Sequence, residues 1–283
     1  APEGQVNIGG ETFKEGTTGA SQFLGYYVKY YYDSDDTLIY IENIKKSQTF
    51  TVEAELADSV SGDTFYYYKV KNDSKKLKLK ISQEADVIYN EVALYDYSKS
   101  DILPKTGNIE FLDYNGDDVY DVIFVHEYND CIAGNIYKEK NILNDSAAGG
   151  QIDFDLGNRN SVNIMQYDKD KGMYTEISLA KIKKDSVVSV MESRDMSVIT
   201  ALVSTEKISG TISEIDGEND EIVINGERYK LSNTYKENMK KGFAEQIEIG
   251  AMGEFYVNVY GLLAHGEFTD SMEYYGFMSE CAA

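Results

Sequence analysis

The run with the clearest chemical potential is Asp113-Tyr114-Asn115-Gly116-Asp117-Asp118-Val119-Tyr120-Asp121. Asp113, Asn115, Asp117 and Asp121 put side-chain oxygens at relative positions 1, 3, 5 and 9, which matches the first part of an EF-hand-like calcium loop. Alternate acidic side chains in a tight loop converge, and a hard cation offsets their mutual repulsion. The run departs from the EF-hand pattern at three places. Gly116 stands at position 4, Asp118 takes position 6 where Gly is usual, and Phe124 falls at position 12 where Glu is expected. The flanks read as strands, Ile109–Leu112 before and Val122–Val125 after, where an EF-hand has helices. Two readings remain open: a Ca2+ site, and an unliganded turn whose carboxylates bind their own backbone. Asp33-Ser34-Asp35-Asp36 reads as a solvated hairpin tip.

Other reactive residue types form no recognisable set. His126 and His265 lack metal-ligand spacing to each other. His126 continues a strand and reads as structural, and His265 reads as exposed on an edge-like strand. Cys131 reads as a buried small hydrophobe. It lies far from Cys281, so no disulfide framework is implied and the redox compartment stays open. Gly149-Gly150 has no Lys-Ser/Thr after it and makes no phosphate loop. No local pattern selects two carboxylates for glycoside hydrolysis. The expectation is therefore a protein that is not an enzyme.

The elements that would hold these residues are strands. The chain has 283 residues, 42% of them hydrophobic, which is ample for a core. Pro occurs twice, Tyr 24 times and Trp never. Period-two alternation recurs: Leu77, Leu79 and Ile81 against Lys76, Lys78 and Lys80; Ile222 and Ile224 against Glu221 and Asn225; Phe255, Val257 and Val259 against their polar neighbours. Helical periodicity is convincing only over Thr234–Gln246. The fold class expected is all-β, with several small OB-like or SH3-like barrel or sandwich modules in tandem and one short helix.

An internal repeat sharpens this. Ile8-Gly9-Gly10-Glu11-Thr12-Phe13-Lys14 matches Ile224-Asn225-Gly226-Glu227-Arg228-Tyr229-Lys230, and both contain a two-residue hairpin signal. Leu24-Gly25-Tyr26-Tyr27-Val28 then answers to Ile249-Gly250-Ala251-Met252-Gly253. The expected divisions are a small barrel-like module at 1–48, open to completion by later strands, a central β-rich module at 49–205, a second small barrel at 206–268, and 269–283 as a tail or the start of a further domain.

The formal net charge of −22 repels phosphate backbones and anionic lipid, so nucleic acid and membrane insertion are not expected. No apolar run approaches a membrane span. The opening Ala1-Pro2-Glu3-Gly4 reads as a cleaved or excised product. Tyrosines crowd Tyr26–Tyr32 and Tyr66–Tyr68. Consecutive residues in a strand face opposite ways, so some of these rings must lie near the surface or in a contact.

Several segments resemble large secreted cell-surface proteins of clostridial bacteria, of the S-layer-homology-containing kind. They are Ala85–Asn90, Leu103–Gly107, Asp113–Tyr128, Ile208–Ile215 and the Gly250–Ala264 hairpin. The likeness covers nearly the whole chain and rests on structural, not catalytic, motifs. The chain departs from it at Asp118, where those proteins favour Gly, and this weakens the calcium inference. The likeness also implies that Tyr275-Gly276-Phe277-Met278 begins a further β domain. Together these readings give an extracellular structural protein, a building block of a surface layer, stalk or filament. Its partners would be further copies of itself or a cell-wall polymer. The alternative is a glycan-binding or adhesion module of a secreted multidomain protein.

Overall fold

A computed structural model describes residues 4–44 and 47–269. The calls on 270–283, including Cys281 and Tyr275–Met278, lie outside the described residues. The protein is all-β with one α-helix among the described residues, and it forms two compact units. One unit takes the chain up to Tyr128 with Asp155–Asn163 and Met191–Thr200. The other takes Asn129–Phe154, Ile164–Val190 and the chain from Ala201 onward.

In the first unit, β1 (Gln5–Ile8) and β2 (Glu11–Lys14) form one antiparallel hairpin, and β3 (Val28–Tyr32) and β4 (Leu38–Asn43) form another. A parallel bridge, Lys14 to Thr37, joins them. Next come β5 (Gln48–Glu53), β6 (Ala57–Ser61), β7 (Thr64–Tyr68), β8 (Lys76–Tyr89), β9 (Val92–Ala93), β10 (Asn108–Asp113) and β11 (Tyr120–His126). They make a sheet in the order β5-β10-β11-β8-β7-β6, with β9 paired to β8. The β11–β8 pairing is parallel and the rest are antiparallel. Apolar alternation decides the buried face: Phe65, Ile81, Ile109, Phe111, Ile123 and Val125 form its core.

The second unit holds β12 (Asn129–Tyr137), β13 (Ile142–Asp145), β14 (Gln151–Asp153), β16 (Met173–Glu176) and most of β15 (Ser161–Asp168), β17 (Val187–Glu192) and β18 (Val198–Ser204), whose residues 161–163, 191–192 and 198–200 belong to the first. Their sheet order is β14-β13-β12-β17-β18-β15-β16. Then follow β19 (Glu206–Asp216), β20 (Glu221–Ile224), β21 (Glu227–Lys230), α1 (Asn233–Lys241), β22 (Met252–Val257) and β23 (Leu263–Phe268). Five of these strands pair in the order β21-β20-β19-β22-β23, and the parallel bridge Leu231 to Leu263 brings the two ends of the sheet together. With the helix between the third and fourth strands, this is an OB-like barrel. Its core is Ile212, Ile222, Ile224, Tyr235, Phe255, Val257 and Leu263.

Helix α1 is shorter than the periodicity over Thr234–Gln246 suggests. Ser232 caps its start by accepting the Tyr235 N–H at 3.1 Å. Gly242 adopts φ 75° and returns its N–H to the Asn238 and Met239 carbonyls, which ends the helix.

The repeat is structural. Gly9 and Gly10 have φ 64° and 91°, and Asn225 and Gly226 have φ 53° and 87°, so both hairpins turn through left-handed pairs. Registers also coincide. Val28–Asn43, Lys29–Glu42, Tyr30–Ile41 and Tyr32–Leu38 correspond to Gly253–Phe268, Glu254–Glu267, Phe255–Gly266 and Val257–Leu263, and each pair of strands shifts register at the same step. Residues Ala20–Phe23 make a single 3-10 turn where the second copy has α1.

Candidate functional site

The acidic loop joins β10 to β11, beside β5. Asp113 ends β10, is fully buried, and lies opposite Gln48 of β5. Its Oδ1 accepts the N–H of Asn115 at 3.0 Å and of Gly116 at 2.6 Å. Its Oδ2 accepts the Asp118 N–H at 2.9 Å and the Gln48 Nε2 at 3.0 Å. Burial pushes the Asp113 carboxyl up, but these donors together outweigh it and hold the group below the ordinary aspartate value. The same Gln48 amide donates to Asp118 Oδ1 at 2.9 Å. Asp117 accepts the Val119 N–H at 3.0 Å. Asp121 Oδ2 accepts the Tyr114 N–H at 3.3 Å and Asn115 Nδ2 at 3.4 Å.

The four sequence-selected residues thus come together, and as drawn they organise a turn. Asp113 spends both oxygens on N–H donors. Asn115 links the turn to Asp121, and Asp117 and Asp118 face solvent. Among the described residues, no group of three or more His, Cys, Asp or Glu side chains is arranged to hold a metal ion. Asp33 plays the same part on a smaller scale, accepting the N–H groups of Asp35 at 2.9 Å and Thr37 at 3.0 Å at the β3–β4 tip.

The tyrosine segments divide between faces as strand geometry requires. Tyr67 turns inward against Phe50 at 5.5 Å. Tyr66 and Tyr68 lie opposite Lys78 and Lys76, on the outer face. On β3, Tyr30 packs on Phe13 at 5.2 Å, whereas Tyr31 faces Tyr40 across the hairpin at 5.9 Å. Tyr31 is 52% exposed, Tyr40 44% and neighbouring Ile39 63%. The Lys29–Glu42 pair at 3.5 Å lies on the same side as these rings. Just before β3, Tyr26 packs against the Ile88, Leu112 and Val122 cluster, and Tyr27 meets Tyr114 of the acidic loop at 4.6 Å. Burial, then the Tyr27 hydrogen bond, pushes the Tyr114 hydroxyl up to about 12.

Cys131 is buried, and burial pushes its thiol well above the ordinary value, so it is poorly nucleophilic. His126 stacks on Phe124 at 6.4 Å, and burial lowers its pKa. His265 is buried, contrary to the exposure its edge-like strand implies. Helix α1 packs against β23, and the ring lies 6.0 Å from Tyr235 and 5.6 Å from Tyr256. Burial lowers its pKa.

Sequence reasoning missed Asp130. This carboxylate is buried in β12, where it accepts Ser189 Oγ at 2.6 Å and Asn258 Nδ2 at 3.1 Å, with Ser232 also bonded to it. Burial dominates and raises its pKa despite these donors. Ser189 and Asp130 are both sealed from solvent, so the pair is structural. The only signal was a polar residue beside or within a short apolar run: Asp130 before Cys131–Ala133, and Ser189 within Val187–Val190.

No helix among the described residues is long and apolar enough to cross a membrane. No protein-family model matches the chain, and no curated protein matches it.

Proposed function

We propose that this protein is an extracellular, cell-surface structural element that assembles with further copies of itself into a layer, stalk or filament. The observation that carries this reading is the exposed Tyr31–Tyr40 ring pair across the β3–β4 hairpin, with exposed Ile39 beside it. Leu24, Tyr27, Tyr31, Tyr32, Ile39, Tyr40 and Ile44 are all exposed within the span from just before β3 to just after β4. Exposed aromatic rings paired across a hairpin suit a contact between proteins, and tyrosine is enriched in contacts. Stiff sheet modules supply the body. The solvent-facing carboxylates of the β10–β11 loop offer calcium a place to bridge copies that a charge of −22 would otherwise hold apart. Calcium titration of the wild type, and of an Asp117→Asn/Asp118→Asn variant that spares the buried Asp113, tests that part.

The test of the whole reading is light scattering at high protein concentration, with and without millimolar calcium. Species larger than one chain, growing with concentration, are expected. A single monomeric mass under every condition would remove the proposal.

A further inference from the structure

The β3–β4 hairpin has two unlike faces. Its inner face packs: Tyr30 and Ile41 lie against Phe13, Ala20 and Leu38, with Tyr30 5.2 Å from Phe13. Its outer face carries four side chains that the register sets in two rows, Lys29 beside Glu42 and Tyr31 beside Tyr40. These four touch one another. Lys29 Nζ lies 3.5 Å from Glu42 Oε1 and 5.5 Å from the centre of the Tyr31 ring, and the two rings are 5.9 Å apart. A hydrogen bond to Glu42 holds the Tyr40 hydroxyl above its ordinary pKa. The charged pair is as open to solvent as the rings, with Lys29 and Glu42 side chains 52% and 42% exposed.

This face is complementary to itself. In one row the positive charge stands on β3 and the negative charge on β4, and in the next row each strand supplies one tyrosine. A two-fold axis running along the strands between two such faces sets β3 of one copy over β4 of the other. Lys29 then meets Glu42 of the second copy, and Tyr31 meets its Tyr40, each twice over. An axis across the strands would set each strand over its own counterpart and match no opposite charges. We propose that the outer face of the β3–β4 hairpin binds the same face of a second copy about the axis along the strands. The inference rests on the assembly reading above and names one of its contacts. Charge complementarity selects the occupant, because a second copy presents both signs in the reversed order that the face requires. Four side chains cover far less than the roughly 800 Å² per partner of a standard interface, so the contact is weak and forms at high concentration. An isologous contact closes on a pair, and a larger array would join such pairs through a second contact. The same axis brings the two hairpin tips side by side, where Asp35 and Asp36 are exposed, so like charges meet at that end.

The test exchanges charge in the full-length chain and reads association by sedimentation velocity. Lys29→Glu makes the charged row wholly acidic and Glu42→Lys makes it wholly basic, so each variant alone should self-associate about tenfold more weakly than wild type. Mixing the two should restore association, because an acidic face then meets a basic one. Net charge cannot produce that recovery, since the mixed pair carries the same total charge as two wild-type chains. The hairpin cannot produce it either, since each chain still lacks its own Lys29–Glu42 pair. Tyr31→Ser/Tyr40→Ser should weaken association about tenfold or more, and Asp35→Asn/Asp36→Asn should strengthen it. A mixture no stronger than its components, with wild type still associating, would overturn the contact and leave the assembly reading standing. A tyrosine variant that associates as wild type does would also overturn it, by giving the face to another occupant such as a glycan. Weaker association of Asp35→Asn/Asp36→Asn would set the tips apart and overturn the axis. A wild type that stays monomeric at every concentration would instead remove the assembly reading, and this contact with it.

Discussion

Two buried aspartates carry opposite signatures. Asp113 receives four donors and is held below its ordinary pKa, so its ionised form contributes stability above the unfolded value, and that stability is lost as pH falls through the folded value. Asp113→Ala would leave those donors without their acceptor. It is expected to cost roughly 2–4 kcal/mol, read as a lower midpoint in urea, and the cost should shrink at acid pH. Asp130 is raised by burial, so folding favours its protonated form. Stability from that source is fully present below the ordinary aspartate value and declines as pH rises toward the raised folded value. The difference between wild type and Asp130→Asn unfolding free energies should therefore trend with pH in that window, wild type losing ground as pH rises. A flat difference would mean that Asp130 ionises freely in the fold. The Asp113 loop could be read from residue types because its partners are neighbours in sequence. Asp130 could not, because Ser189, Ser232 and Asn258 reach it only through the fold.

At the scale of elements, the hairpin repeat was legible because positive-φ turns leave a compositional trace. Asn225-Gly226 and Gly9-Gly10 announce themselves in sequence. Gly226→Val would force a β-branched residue to φ 87° and should cost about 2 kcal/mol or more, measured as a drop in melting temperature. The turn between β8 and β9 was not legible, since it is built from Asn90 and Glu91 at φ 44° and 72° without glycine. Asn90 is kept there by its side chain, which accepts the Glu127 N–H at 2.9 Å and donates to the Glu127 and Glu192 carbonyls at 2.8 and 2.9 Å. Beside it, Arg194 stacks 4.2 Å above Tyr89 and pairs with Asp101 at 3.2 Å. These contacts tie the Glu192–Asp195 loop into the first unit, across a long gap in sequence. Asn90→Ala is expected to destabilise by about 2–3 kcal/mol, and hydrogen exchange should rise first at Ser193–Ser197. Unchanged protection there would show that the loop is held by other contacts. The same long-range logic hid the joining of Lys76–Ile81 and Ala85–Tyr89 into one strand, β8. Its two halves have different neighbours, β7 and then β11, and so different patterns.

At the scale of the whole molecule, charge and shape pull in opposite directions. A net charge of −22 opposes close approach of copies, and in the proposed assembly the exposed tyrosines would have to overcome it. Screening should favour contact, so added monovalent salt is expected to strengthen self-association, in contrast to complexes held by opposite charges. Weakening by salt would point to complementary charges as the glue. That the chain is a set of stiff sheet modules could be read from alternation and turns. That β1–β2 and β3–β4 form separate two-stranded sheets among the described residues, where the second copy joins five strands, could not, because strand pairing across the fold decides it. Electron microscopy of concentrated full-length protein in calcium-containing buffer is the most direct measurement of the central claim. Ordered filaments or arrays with a regular repeat are predicted; fields of separate single particles at every concentration would contradict it.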